Sequence, residues 1–317
     1  MSLTRRDFLR RSAAIAGAAS GSLGARPLWA TRPGEKTPTE KFAICNETFV
    51  DWPFDKAFAT AAECGYSGIE IAPFTISNFV TDIASERRRE IRRQAEQAGL
   101  QVVGLHWLLA KTKGFHLTSP DPHIRRNTAR YLGALADFCA DLGGTLLIFG
   151  SPKQRNLPPG VTRDQGLQYA TEVIHAALPL LERAGVQLAM EPLSPGTTNF
   201  LRTAAEASEL IQRVDSARCQ LILDCLAMEH EQAPRAEVIQ KYAKSLVHFH
   251  ANDPNRMGPG FGELDFVPIF KALRNVRYGG WISVEVFNYQ PGPERLARES
   301  MQYMKACLAR MALPPLK

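Results

Sequence analysis

The chain has 317 residues, 45% of them hydrophobic, and a formal net charge of +6. That suffices for one large α/β domain with a full core and does not require two domains. Residues 1–30 carry five arginines against Asp7 alone, which is +4 of the total, so the remaining +2 excludes the basic footprint of a nucleic-acid-binding protein.

In chain order, Thr4-Arg5-Arg6-Asp7-Phe8-Leu9 comes first, followed by a weakly apolar Ala/Gly stretch from Ala13 to Leu23, then Arg26 and Leu28-Trp29-Ala30. This leader resembles a bacterial twin-arginine signal peptide. The resemblance implies cleavage near residue 30, a linker over 31–40, and delivery of a folded protein to the periplasm by the twin-arginine export machinery. That route suits a protein that acquires a metal in the cytoplasm. The stretch is too short and too broken by glycine to remain as a membrane span, and no cysteine follows it to carry a lipid, so no stable membrane anchor is expected.

From residue 41 to the end, continuous apolar runs alternate with helical patterns, as expected for strands buried on both faces. The strands are expected at 42–45, 68–72, 101–105, 145–149, 186–190, 220–223, 246–249 and 281–286. The helices between them are expected at 57–64, 85–98, 127–142, 163–184, 204–214, 236–244, 267–273 and 294–311, several ending before a glycine that can cap them left-handed. Eight such units over residues 41–317 predict a (β/α)8 TIM barrel, whose reactive groups gather at the C-terminal strand ends. A doubly wound open sheet is the alternative, but no glycine-rich dinucleotide fingerprint follows the first strand. Segments 111–123 and 251–265 are read as long loops on the catalytic side, able to cover a ligand. Cysteines 45, 64, 139, 219, 225 and 307 form no C-x-x-C pair and are expected as buried thiols, although an oxidising compartment leaves a bridge open.

Four strands end on a side chain that can bind a divalent metal: Glu191, Asp224, His250 and Glu285. Their spacings of 33, 26 and 35 residues each approximate one strand-helix-strand crossover, so the four can stand at neighbouring strand ends. A lone acid after a strand is usually a cap or a loop acceptor. Four at successive strand ends are hard to explain that way, because charged groups there must be paired or metal-bound to offset desolvation. Strand periodicity places His248 on the face of His250, one layer down.

Met190-Glu191-Pro192, Leu223-Asp224, His248-Phe249-His250-Ala251-Asn252-Asp253, Pro259-Gly260-Phe261-Gly262-Glu263 and Ser283-Val284-Glu285 resemble the xylose-isomerase-like barrels, in pattern near ketose 3-epimerases and hydroxypyruvate isomerases. The resemblance implies a metal-dependent sugar isomerase or epimerase. Glu191, Asp224, His250 and Glu285 would hold one divalent ion, Mn2+ by preference with Mg2+, Co2+ or Zn2+ as alternatives. Glu191 and Glu285 would also be the catalytic acid/base pair, passing a proton through an enediolate. Arg256 resembles the family's substrate-binding arginine.

His106, Trp107, Glu70 and Phe261 are further substrate-binding candidates. Glu47 and Glu70 also read as salt-bridge partners, and His106 as a structural hydrogen-bonding group. Asp265 reads as a helix cap.

Two positions depart from the ketose 3-epimerase pattern. Ala227 stands where a histidine follows the strand-six aspartate by three residues, and Thr197 where a glutamate follows the strand-five ligand by six. Both remove polar contacts to a sugar and favour a different, larger substrate. The rival readings are a lyase or dehydratase acting by β-elimination on a keto-sugar or oxidised glycoside, a phosphodiester hydrolase, and a non-catalytic sugar-binding barrel. A small-molecule sugar is the expected partner, nucleic acid is not, and a homo-oligomer is left open.

Overall fold

The computed structural model describes residues 40–312. The expected signal peptide, and the expected linker apart from Glu40, lie outside the described residues.

Eight parallel strands close into a barrel in sequence order. They are β1 (Lys41–Cys45), β2 (Gly68–Ile71), β3 (Gln101–Leu105), β4 (Leu146–Phe149), β5 (Gln187–Met190), β6 (Cys219–Asp224), β7 (Leu246–Ala251) and β8 (Trp281–Val284). β8 returns to pair with β1 through Phe42 opposite Ile282 and Ala43 opposite Ser283, so the sheet has no free edge.

The helices are α1 (Phe54–Cys64), α2 (Ser85–Gln97), α3 (Pro122–Asp141), α4 (Arg163–Ala184), α5 (Ala204–Val214), α6 (Arg235–Tyr242), α7 (Val267–Asn275) and α8 (Pro293–Ala312). α4 begins with a reciprocal cap, Thr162 to the Gln165 backbone and Gln165 back to Thr162, and ends at Gly185, whose φ of 69° few other residues tolerate. Asp265 accepts from the Val267 amide at the start of α7, the capping role expected of it. No described helix is long and apolar enough to cross a membrane.

The predicted (β/α)8 order holds at every strand, but α3 starts five residues earlier than its apolar pattern suggests. Asp121 caps it by accepting from the His123 amide, and Pro122, which needs no donor in a first turn, opens it. The loop expected over 111–123 is correspondingly shorter.

Two layers of apolar side chains result. Outside the sheet, the helices pack onto residues such as Ile44, Leu105, Phe149 and Leu223. Inside, Ala43, Val103, Leu146, Ile148, Ala189 and Ile222 fill the barrel. All six cysteines are buried and unbridged.

Candidate active site

The four expected ligands converge. Asp224 is the last residue of β6 and lies in register with His250 on β7, while Glu191 and Glu285 directly follow β5 and β8. One donor atom from each of the four lies within 4.8 Å of the others, and all four residues are buried. His250 Nδ1 is the centre: it stands 3.0 Å from Glu285 Oε2, 3.9 Å from Glu191 Oε1 and 4.0 Å from Asp224 Oδ2.

The residues fit a divalent cation. His250 Nδ1 and Glu285 Oε2 are buried and complete no hydrogen bond, an arrangement costly in a core unless a further group satisfies it. Three carboxylates and one imidazole are hard and borderline donors of the kind that take Mn2+, Mg2+, Co2+ or Zn2+.

Each ligand is held from behind. Asp224 Oδ1 accepts from the Ala227 amide at 2.7 Å, and Oδ2 from Asn252 Nδ2 at 2.6 Å. Asn252 Oδ1 in turn accepts from the Leu226 amide, which pins the loop after β6 to the end of β7. Glu285 Oε1 accepts from Trp107 Nε1 at 3.1 Å. The backbone carbonyl of Glu191 accepts from Arg155, a fully buried arginine whose guanidinium also reaches the carbonyls of Phe149 and Leu201.

Glu191 has room only because residue 150 lacks a side chain, since a Cβ there would lie 2.3 Å from Glu191 Oε2. Neither Arg155 nor Gly150 was singled out from sequence. Arg155 reads as an ordinary loop arginine, and the available signal was Gly150-Ser151 standing immediately after β4.

The electrostatics split the two glutamates. Burial first, then the negative charge of Glu285, push the Glu191 carboxyl well above its usual range. Burial also works to raise Glu285, but the positive charge of His250 carries it below its ordinary value. Burial and then Glu285 raise Asp224 to about 6. Two neighbouring carboxyls tuned apart in this way fit paired acid and base roles.

A pocket open to solvent lies over the cluster. His106, Trp107 and Arg256 line it, as expected of substrate-binding residues, with Ala227 and Thr197 on the wall beside Leu193 and Leu226. Arg256 sits 5.5 Å from the Phe287 ring, and its carbonyl accepts from the Phe287 and Asn288 amides, which ties the loop after β7 to the segment after β8.

Two substrate-binding candidates lie elsewhere. Glu70 is fully buried beneath the cluster, with Oε1 2.6 Å from His248 Nε2 and Oε2 3.2 Å from His250 Nε2. Despite burial, the two imidazoles hold its carboxyl well below the usual value. It faces inward within β2 and does not line the pocket, whereas a residue after the strand would reach the mouth.

Phe261 does not line the pocket either. The buried Asp253 accepts from the Gly260 and Leu264 amides and folds the glycine-rich segment back on itself, leaving the Phe261 ring beside Arg295 at 5.9 Å. His248 is one layer down, as expected, and Glu47 is the hydrogen-bond partner of His106 at 2.6 Å.

The closed barrel and its ringed acids define an α/β enzyme scaffold. The chain belongs to the xylose isomerase-like TIM barrel family, whose sequence pattern matches residues 58–307. A "Probable ketose 3-epimerase" of Synechocystis sp. is 25% identical over 268 residues, 78% of this chain and 88% of that protein. A "3-dehydro-D-guloside 4-epimerase" of Escherichia coli K12 is 24% identical over 276 residues, 84% of this chain and all of that one. The crystal structure of D-psicose 3-epimerase in the presence of D-fructose superposes with a TM-score of 0.74 at 20% identity, covering 84% of this chain and 99% of that one. Both of these sequence relatives carry the name of a sugar epimerase, and the structural likeness speaks for the fold.

Proposed function

We propose that this protein is a divalent-cation-dependent isomerase or epimerase of a sugar or sugar derivative, with Glu191 and Glu285 exchanging a proton with the substrate carbon next to a carbonyl. The observation that carries this reading is the pair of glutamates gathered with Asp224 and His250 in one buried cluster beneath a single pocket, which Glu191, Asp224 and Glu285 line. The similarity to sugar epimerases supports it.

One glutamate removes the proton from the substrate carbon, leaving an enediolate, and the other returns a proton from its own side. A bound divalent cation, with Mn2+ the favoured ion, supplies positive charge that stabilises the negative charge growing on the substrate oxygens. Trp107 holds one oxygen of Glu285 and so orients the carboxylate, whose other oxygen faces the cation cluster. His106, fixed by Glu47, offers a polar contact for a hydroxyl at the pocket wall, and Arg256 offers a second at the loop. Return of the proton to the same carbon from the other side gives epimerisation, and return to the neighbouring carbon gives isomerisation.

The wall formed by Ala227, Thr197, Leu193 and Leu226 favours a substrate larger than a free ketohexose, such as an oxidised glycoside. On such a substrate, expulsion of a β-substituent is the second reading, and product identification separates the two. The test is incubation of the purified protein with Mn2+ and a panel of keto-sugars and keto-glycosides in deuterated water. Solvent deuterium at the carbon next to the carbonyl is expected, and turnover without it sinks the proton-transfer reading. Glu191→Gln and Glu285→Gln should each lower turnover at least a thousandfold, and retained activity in both would favour a binding protein. We further propose twin-arginine export to the periplasm, supported by the Arg5-Arg6 leader and tested by fractionating cells that carry Arg5→Lys/Arg6→Lys.

A further inference from the structure

Three buried acids lie outside the four-residue cluster, Glu47, Glu70 and Asp253; Glu47 is accounted for by its bond to His106, and Asp253 by the Gly260 and Leu264 amides. Glu70 is the most demanding case. It is 0% exposed on β2, touches no part of the pocket, and reaches across the barrel interior to two imidazoles of β7. A register shift between Ile69 and Glu70 in the β2–β3 pairing sets where this side chain points.

An ionised carboxylate only accepts hydrogen bonds, so each imidazole Nε2 facing it must carry the proton. In the neutral imidazole that a cation requires, this leaves Nδ1 of His250 bare, and Nδ1 is the atom that faces Glu285, Glu191 and Asp224. The opposite tautomer would place a proton on Nδ1, 3.0 Å from Glu285 Oε2, and would replace a cation site by an internal hydrogen bond. His248 occupies the second oxygen of Glu70 at 2.6 Å and so prevents the carboxylate from turning away.

We infer that Glu70 is a positioning residue that fixes His250 in the tautomer protonated on Nε2, leaving Nδ1 as the imidazole ligand, with His248 anchoring the other oxygen of the same carboxylate. The inference rests on the reading of Glu191, Asp224, His250 and Glu285 as a cation site. Partners of this kind set both the orientation and the basicity of a ligating histidine.

The test compares the full chain with Glu70→Gln, which keeps the size of the side chain but replaces one acceptor oxygen by a donor that cannot accept from Nε2. Metal-free protein is titrated with Mn2+ while free Mn2+ is followed by electron paramagnetic resonance. A 10- to 100-fold loss of affinity is expected, of the size seen for such partners elsewhere. Equal affinities in a folded Glu70→Gln overturn the inference.

A second measurement needs no variant. In metal-free wild type labelled with 15N-histidine, at a pH high enough to leave His250 a single proton, long-range 15N–1H correlations are expected to place that proton on Nε2, and a lone proton on Nδ1 overturns the inference even if Glu70→Gln fails to fold. Wild type that binds no Mn2+ refutes the cation-site reading itself, and the tautomer still decides the role of Glu70.

Discussion

Trp107 Nε1 donates to Glu285 Oε1 across 3.1 Å, tying the second residue after β3 to the residue after β8. Trp107 sits at φ 53°, in the left-handed region, and its ring packs edge-on against Phe74 at 5.9 Å and tilted against Phe287 at 6.1 Å. The aromatic packing sustains an unfavourable backbone whose return is a fixed carboxylate. Trp107→Phe keeps the packing and removes the donor. A hydrogen bond to a charged group contributes about 1.5–3 kcal/mol, so kcat should fall about 10- to 100-fold with Mn2+ affinity nearly unchanged. Steady-state kinetics beside a metal titration check it, and an unaltered kcat refutes the positioning role.

Gly150 is expected to be intolerant of the smallest substitution. A Cβ there would meet Glu191 Oε2 at 2.3 Å, and the Glu191 carboxylate can yield only by leaving the cluster, since its backbone is held by Arg155. Displacement of a reacting group by about 1 Å costs on the order of a hundredfold in rate. Gly150→Ala should therefore lose about two orders of magnitude in turnover while its thermal midpoint stays within a few degrees of wild type. A variant that keeps its rate would show that Glu191 has slack the packing does not suggest.

Arg155 has the opposite profile, in which stability is at stake before activity. Burial lowers its guanidinium to about 10, a drop that nearby Glu191 opposes, and the group nonetheless stays charged at neutral pH. Arg155→Met keeps the bulk but strips donors from the carbonyls of Phe149, Glu191 and Leu201. The Phe149 and Leu201 carbonyls keep the Glu191 and Leu193 amides, so the Glu191 carbonyl is the one left unsatisfied, at a cost of about 1–3 kcal/mol that urea denaturation should show. A loss below about 1 kcal/mol would mean that this carbonyl finds another partner.

The barrel was legible because its strands are continuous apolar runs and its helices end on glycine, and both features are local. β3 and the helices α4 and α5 fall where the pattern places them. The start of α3 was missed because the residues before Asn127 carry no apolar stripe, and a cap and a proline, Asp121-Pro122, do the starting instead. The four candidate ligands were legible because each closes a hydrophobic strand. Arg155, Gly150 and Asn252 were not, since what makes each matter is a contact 26 to 41 residues away across strands, with Glu191 or Leu226. Glu70 was noticed and assigned to the wrong layer: periodicity gives the face of a strand, while depth depends on the stagger of its neighbours.

Metal removal and pH should act on stability in opposite senses. In the metal-free cluster Asp224 is raised to about 6 from an ordinary unfolded value near 4, so the folded state binds the proton more tightly. The resulting stability is fully present below about pH 4 and is lost as pH rises through 6. Glu191, raised further, extends the same trend upward. A cation requires these groups ionised and reverses the dependence, because it must displace their protons and therefore stabilises least at low pH. At neutral pH, Mn2+ at a hundred times its Kd should add about 2.7 kcal/mol, and a chelator should remove it. Between pH 7 and 5 that increment should shrink while the metal-free protein gains relative to its own value at pH 7. Thermal melts with and without Mn2+ across this range check both trends. An increment that is flat with pH would mean that the cation binds somewhere other than at Asp224 and Glu191.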